Sequence, residues 1–168
     1  MTIKPKKMIK TLAHLAIVRW TYPSKEVREK GFVFVNTPMG SRLGFESGFL
    51  ILEVGHGNDC DGTLRQEIVS ITGTQFLNGQ AHEVVDAVII WWRDGDGDLV
   101  DEFVDSLTYL AENGQVWVFT PKVGREGHVE PSDIQDAAPT AGLSQTSTLS
   151  IAPDWSATRL VARKSSKR

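Results

Sequence analysis

The 168-residue chain is 40% hydrophobic and 23% charged, the composition of one globular domain with a real core and too short for two. It has no run of about 18 apolar residues that would read as a membrane span, and its single cysteine, Cys60, excludes an internal disulfide and agrees with a reducing cytoplasm. The net charge of −3 conceals an asymmetry: residues 1–42 carry nine Lys/Arg against Glu26 and Glu29 (9 − 2 = +7), and the rest carries nine against nineteen acids (9 − 19 = −10).

The basic N-terminal arm has no Arg-rich helix or aromatic stacking platform, so nucleic-acid binding is disfavoured against an arm that lies beside its own acidic body. Its apolar stretch is short, is closed by Arg19 and is followed by no small-residue cleavage site, so a signal peptide is not expected. Within the arm, "MIKTLAHLAIV" suits a short helix and "FVFV" (32–35) a strand, punctuated by Pro23 and Pro38.

From Leu43 the pattern becomes regular. "FLILEVG" (49–55) is a short apolar run ending in glycine, as expected for a buried parallel strand. "DGTLRQEIVSI" (61–71) places Leu64, Ile68 and Ile71 at helical spacing behind Asp61 as N-cap. "VVDAVIIWW" (84–92) predicts a second strand. In "DLVDEFVDSLTYLAEN", Leu99, Val100, Phe103, Val104, Leu107, Leu110 and Ala111 make one apolar stripe of a helix that Asn113-Gly114 would stop. "QVWVFT" (115–120) predicts a third strand, and "EPSDIQDAA" (130–138) a helix with Pro131 at its first position. "LSQTSTLSI" and "SATRLVARK" flank Pro153-Asp154 and read as an antiparallel pair; the tail 164–168 reads as disordered.

This order predicts a single three-layer α/β domain with a mostly parallel sheet and a C-terminal antiparallel hairpin. Ligands of such sheets gather beyond the carboxyl ends of the strands. Three loops lie there: "GHGNDCDG", "RDGDGD" and "PKVGREGH".

Asp94, Asp96 and Asp98 stand at alternate positions like the start of a calcium loop. Position 6 of such a loop is glycine and position 12 a bidentate Glu; here they are Leu99 and Asp105, which rejects an EF-hand. The preferred reading is a capped helix N-terminus, with a looser Mg²⁺ or Ca²⁺ site and catalytic acids as the alternatives. No metal site is assigned. Lys122, Arg125 and His128, with Arg93, have the chemistry to hold a carboxylate or phosphate; alternatively the cations pair with Asp94, Asp96 and Asp98 and close the edge. His128 is the candidate for acid–base work by residue type. His56, between two glycines, is a candidate to face a ligand. Cys60 has no basic neighbour closer in sequence than Arg65 and is a weak nucleophile. Trp91, Trp92 and Trp117 are expected in the core and Trp155 at an edge. No zinc spacing, P-loop or G-x-S-x-G occurs.

The stretch from "EVVDAVIIWWRDGDGDLVD" through "SATRLVARK" resembles an actinobacterial family of small proteins grouped as a domain of unknown function, DUF 3052. The resemblance reaches from near Leu43 to the tail and implies a bacterial cytoplasmic protein without supplying an activity; residues 1–40 depart from it. It divides the chain into a basic extension (1–42), a Rossmann-like domain (43–163) and the tail. "LEVGHGN" (52–58) is also similar to the glycine-rich loop of the S-adenosylmethionine-dependent methyltransferase fold, and the final hairpin is similar to that fold's antiparallel seventh strand. That likeness makes Glu53, Gly55, His56 and Gly57 the cofactor-binding candidates. Two departures weigh against a cofactor. Asp59 stands where a third glycine is expected, which would set an acid beside the cofactor's carboxylate. Only 28 residues separate Gly55 from Val84, too few for the intervening helix, strand, helix and strand, and the missing strand is the one whose terminal acid holds the ribose. The expectation is therefore a shortened methyltransferase-like domain without cofactor, binding a protein partner or a small anionic ligand. The alternative is an S-adenosylmethionine-dependent enzyme using His56, Arg93, Lys122 and His128.

Overall fold

The structure is a computed structural model that describes residues 37–80 and 82–164, together with one short backbone pairing in the arm. The chain divides into two units at Thr37/Pro38. In the first, Arg28–Glu29 pairs antiparallel with Phe32–Val33, within the segment read as "FVFV". The expected helix over "MIKTLAHLAIV" and residues 165–168 of the tail lie outside the described residues.

In the second unit five strands form one sheet: β1 (Ile51–Val54), β2 (Val85–Trp91), β3 (Leu110–Pro121), β4 (Leu143–Ser150) and β5 (Trp155–Ala162), in the order β1-β2-β3-β5-β4. β1–β2 and β2–β3 are parallel, and β5 is antiparallel to both β3 and β4. Only β5 therefore runs against the other four, and the expected mostly parallel sheet with a terminal hairpin is the fold found.

The continuous apolar run of β2 follows from its central place, since both of its faces are covered. Ala87, Ile89 and Trp91 face one layer, where Leu64 and Ile68 of α1 (Gly62–Thr72) meet Leu43 from the 3-10 turn Met39–Leu43. Val88, Ile90 and Trp92 face the other, against Phe103 of α2 (Leu99–Tyr109) and Ile134, Ala137 and Ala138 of α3 (Pro131–Thr140). The helices begin as their sequences predict. Asp61 accepts from Leu64 N at 2.7 Å, Asp98 accepts from Val100 N and Asp101 N, and Pro131 opens α3.

Two local differences are instructive. The apolar stripe predicted a helix through Ala111, but α2 ends at Tyr109 and Leu110 pairs with Val85 as the first residue of β3. The register then jumps to Ala87↔Gln115, and Asn113 within the bulge takes a left-handed φ of 68°. Asn113-Gly114 thus shapes a bulge instead of ending a helix, and Val104 of the stripe is 46% exposed. Second, the short segment after Gly55 holds α1 and then a single parallel bridge, Leu77 to Leu52, closed by Glu53 N→Leu77 O at 2.9 Å and Leu77 N→Ile51 O at 2.8 Å. One bridge stands at the outer side of β1 where a longer chain would place a further strand.

Candidate functional site

The carboxyl ends of β1, β2 and β3 carry the three loops singled out in the sequence, and the structure sorts their side chains into separate groups. Glu53, near the end of β1, faces α1. It receives Arg65 Nε and Nη2, each at 2.7 Å, and Trp91 Nε1 at 2.9 Å. This carboxylate is 7% exposed and engaged at both oxygens in tying α1 to the sheet; the hydrogen bonds it accepts hold the Arg65 guanidinium above its ordinary value.

The glycines of "EVGHG" have structural reasons of their own. Gly55 adopts φ +71°, and a Cβ there would run into the backbone carbonyl of Trp91. At Gly57 a Cβ would stand 2.8 Å from Asp59 Oδ1 and 3.2 Å from Arg93 Nη2. The close approach these glycines permit is between β1's loop and the end of β2.

Arg93 is the centre of that approach. Its Nε and Nη2 bind the two oxygens of Asp59 at 2.7 and 2.6 Å. Nη1 donates to Gly55 O at 3.0 Å and Trp91 O at 3.2 Å, and Nη2 also reaches Cys60 Sγ at 3.4 Å. The guanidinium also lies over the Trp155 ring, 5.2 Å from its centroid. A guanidinium has five N–H donors, and these five contacts engage all of them. The pairing pushes Arg93 up from its already high value and holds the Asp59 carboxyl below the usual carboxylate range. Burial pushes the Cys60 thiol up, so its sulfur is a neutral acceptor from Gly57 N at 3.1 Å and not a thiolate nucleophile.

Closure of this edge was expected from Arg93, Lys122, Arg125 and His128 pairing with Asp94, Asp96 and Asp98; Arg93 does stand 3.5 Å from Asp96, but the other cations take different partners. Arg125 pairs with Asp154 at the hairpin turn, and Lys122 Nζ donates to Ala152 O at 2.7 Å. Asp96 accepts from Arg93 N at 2.9 Å, and Asp98 caps α2. Asp94 is exposed at the loop surface, with its backbone N bound to Gly127 O at 3.0 Å. The antiparallel return through Asp154 and Trp155 brings the hairpin to the end of β3, which outcompetes the neighbouring loop.

His56, Gly55, Gly57 and Arg93 line a cleft of about 460 Å³ with Asp96 and Glu102. Arg93, Asp94, Asp96 and Arg125 line a second, of about 570 Å³. Lys122 and His128 belong to neither; they border a cavity of about 430 Å³ between β3, α3 and the hairpin. There His128 Nδ1 donates to Pro121 O at 2.9 Å and Nε2 stands 3.6 Å from Glu130. Among the described residues no three His, Cys, Asp or Glu side chains cluster as metal ligands.

Sequence reasoning passed over Glu102. It stands in the first turn of α2 on the lining of the first cleft, and burial, with Asp105 nearby, pushes its carboxyl up. Its acid among the apolar positions of a helix start was the available signal.

The fold has counterparts among solved structures. The pyocyanin biosynthetic protein PhzM matches with a TM-score of 0.53 at 14% identity, over 76% of this chain and 55% of its own. The mitomycin 7-O-methyltransferase MmcR gives 0.52 at 12%, over 74% and 53%, and the glycopeptide N-methyltransferase MtfA 0.51 at 8%, over 73% and 87%. These likenesses establish a methyltransferase-like Rossmann fold. In sequence, uncharacterized proteins of Mycobacterium bovis and Mycobacterium tuberculosis are 48% identical over 124 residues, covering 74% of this chain and 78% of theirs. Residues 40–164 match the family described as a protein of unknown function (DUF3052), and the chain belongs to that family.

Proposed function

We propose that this domain is a non-catalytic member of the methyltransferase-like fold that acts by binding a partner. The observation that carries the reading is the Arg93 clasp. The strand-end loop that would cradle a cofactor is tied to the end of β2 by a guanidinium with every donor engaged, and its Asp59, standing where a third glycine is expected, supplies the carboxylate of that tie. Glu53 has no free oxygen to offer. The residues present at this loop do not fit S-adenosylmethionine. Both arginines of the edge already hold carboxylates, and Asp94, Asp96 and Glu126 line it as well. Its charge suits a partner presenting basic groups better than a small anion.

The rival reading, an S-adenosylmethionine-dependent methyltransferase, draws support from the 460 Å³ cleft beside His56 and Gly57 and from the half-buried Glu102 within it. It loses Lys122 and His128, which line a different cavity. Isothermal titration with S-adenosylmethionine separates the two. No saturable heat is expected from the unaltered protein. Micromolar binding that Asp59→Gly preserves or strengthens would overturn the non-catalytic reading.

A further inference from the structure

The hairpin half of the sheet holds a second group of cations, on the face that α1 packs against. Strand register sets it out. Trp117 of β3 stands opposite Arg159 of β5, and Arg159 opposite Ser147 of β4, so the three share one face. Gln115, two residues before Trp117, and Leu149, two after Ser147, lie on the same face. Arg42 of the 3-10 turn reaches over from above, its Nη1 donating to Ser150 O at 3.0 Å. Together these side chains line an open depression of about 270 Å³.

Three features set it apart from an ordinary surface dimple. No acid lines it, in a unit whose acids outnumber its bases. Arg42 and Arg159 have no carboxylate within salt-bridge distance among the described residues, whereas Arg65 and Arg125 each have one and Arg93 has two. Arg159 has only a neutral acceptor, Gln115 Oε1, on its Nε at 2.7 Å, and its terminal nitrogens meet no acceptor among the described residues. Finally, Trp117 is 1% exposed, and its indole Nε1 is buried with no hydrogen-bond partner among the described residues. A buried donor of this kind is ordinarily satisfied, and the terminal nitrogens of Arg159 remain open to a ligand from solvent.

We infer that this depression is a binding site for a small oxyanion, a phosphate or carboxylate group held between Arg42 and Arg159 beside the buried Trp117 ring. Planar guanidinium groups match such oxyanions in bidentate fashion. The site lies on a different face from the carboxyl edge and stands whether or not that edge binds a cofactor.

The indole N–H of Trp117 gives its own NMR signal, assigned with Trp117→Phe, and reports the site directly. Full-length protein is titrated with inorganic phosphate and, separately, with succinate, at ionic strength held constant with chloride. The expected result is a saturable shift of that signal with at least one of them; the one that acts identifies the group as phosphate or carboxylate. Arg159→Gln, and independently Arg42→Gln on the exposed turn, should each weaken the binding by about tenfold. A signal unmoved by either anion, or a shift that either arginine variant leaves at unchanged affinity, overturns the site.

Discussion

Arg93 and Arg159 lie on neighbouring parts of one sheet and live in opposite circumstances. Arg93, just past β2, gives all five donors to Asp59, Gly55, Trp91 and Cys60 and so joins two loops into one rigid edge. Arg159, within β5, has a single neutral acceptor and a cavity in front of it. A guanidinium with its hydrogen bonds complete is a structural clasp; one left incomplete beside a buried, unpaired indole N–H is prepared for something that arrives from outside. The part of this molecule that most resembles a cofactor loop is therefore the less receptive of the two.

The largest effect that would break this contrast is at Gly55. Gly55→Ala drives a Cβ into the Trp91 carbonyl and forces an L side chain to φ +71°. A loss of about 3 kcal/mol or more is expected, read as a fall in denaturant midpoint; a change under about 1 kcal/mol would mean that the two loops can separate. Next in size is Arg93→Met, which orphans two backbone carbonyls and the Asp59 carboxylate. It should cost about 2 kcal/mol at pH 7. Its pH dependence carries a further signature. The folded pKa of Asp59 is depressed, so its contribution is present above its unfolded value of about 4 and disappears as pH falls through the lower folded value. The gap between the stability curves of the parent and Arg93→Met should therefore narrow as pH falls below about 4, leaving the part due to the two carbonyls, and parallel curves would show that the Asp59 pair contributes nothing.

How much of this was legible depends on whether the governing contact is local. The caps at Asp61 and Asp98 and the opening proline of α3 are decided within one helical turn, and each was readable. The end of α2 was not, because Leu110 continues the helical stripe and yet pairs with Val85, a partner that only strand order can supply. The ion pairs failed for the same reason. Asp59 lies 34 positions from Arg93, and Asp154 meets Arg125 only because the hairpin returns beside β3. The oxyanion cavity did leave a trace. In "SATRLVARK", Arg159 falls in phase with the buried Ala157, so a strict two-residue alternation points a guanidinium at an otherwise covered face.

The smallest expected effect concerns the cleft beside the glycine loop and decides how wet that cleft is. Glu102 is pushed up mainly by burial, with Asp105 adding like-charge repulsion, and no hydrogen bond to its carboxyl is present among the described residues. A group whose folded pKa is raised favours folding below its unfolded value of about 4.3 and loses that contribution as pH rises through the folded value. At pH 7 the ionised Glu102 is consequently a liability, partly offset by its place in the first turn of α2, where negative charge is favoured. Glu102→Gln keeps the shape and removes the charge, and should stabilise the domain by less than about 1 kcal/mol at pH 7, with no gain at pH 4. A loss of stability at pH 7 would mean that the helix terminus outweighs desolvation and that water reaches the carboxyl freely. The cleft would then be an open groove continuous with the acidic edge, and a basic partner would contact Glu102 together with Asp94 and Asp96.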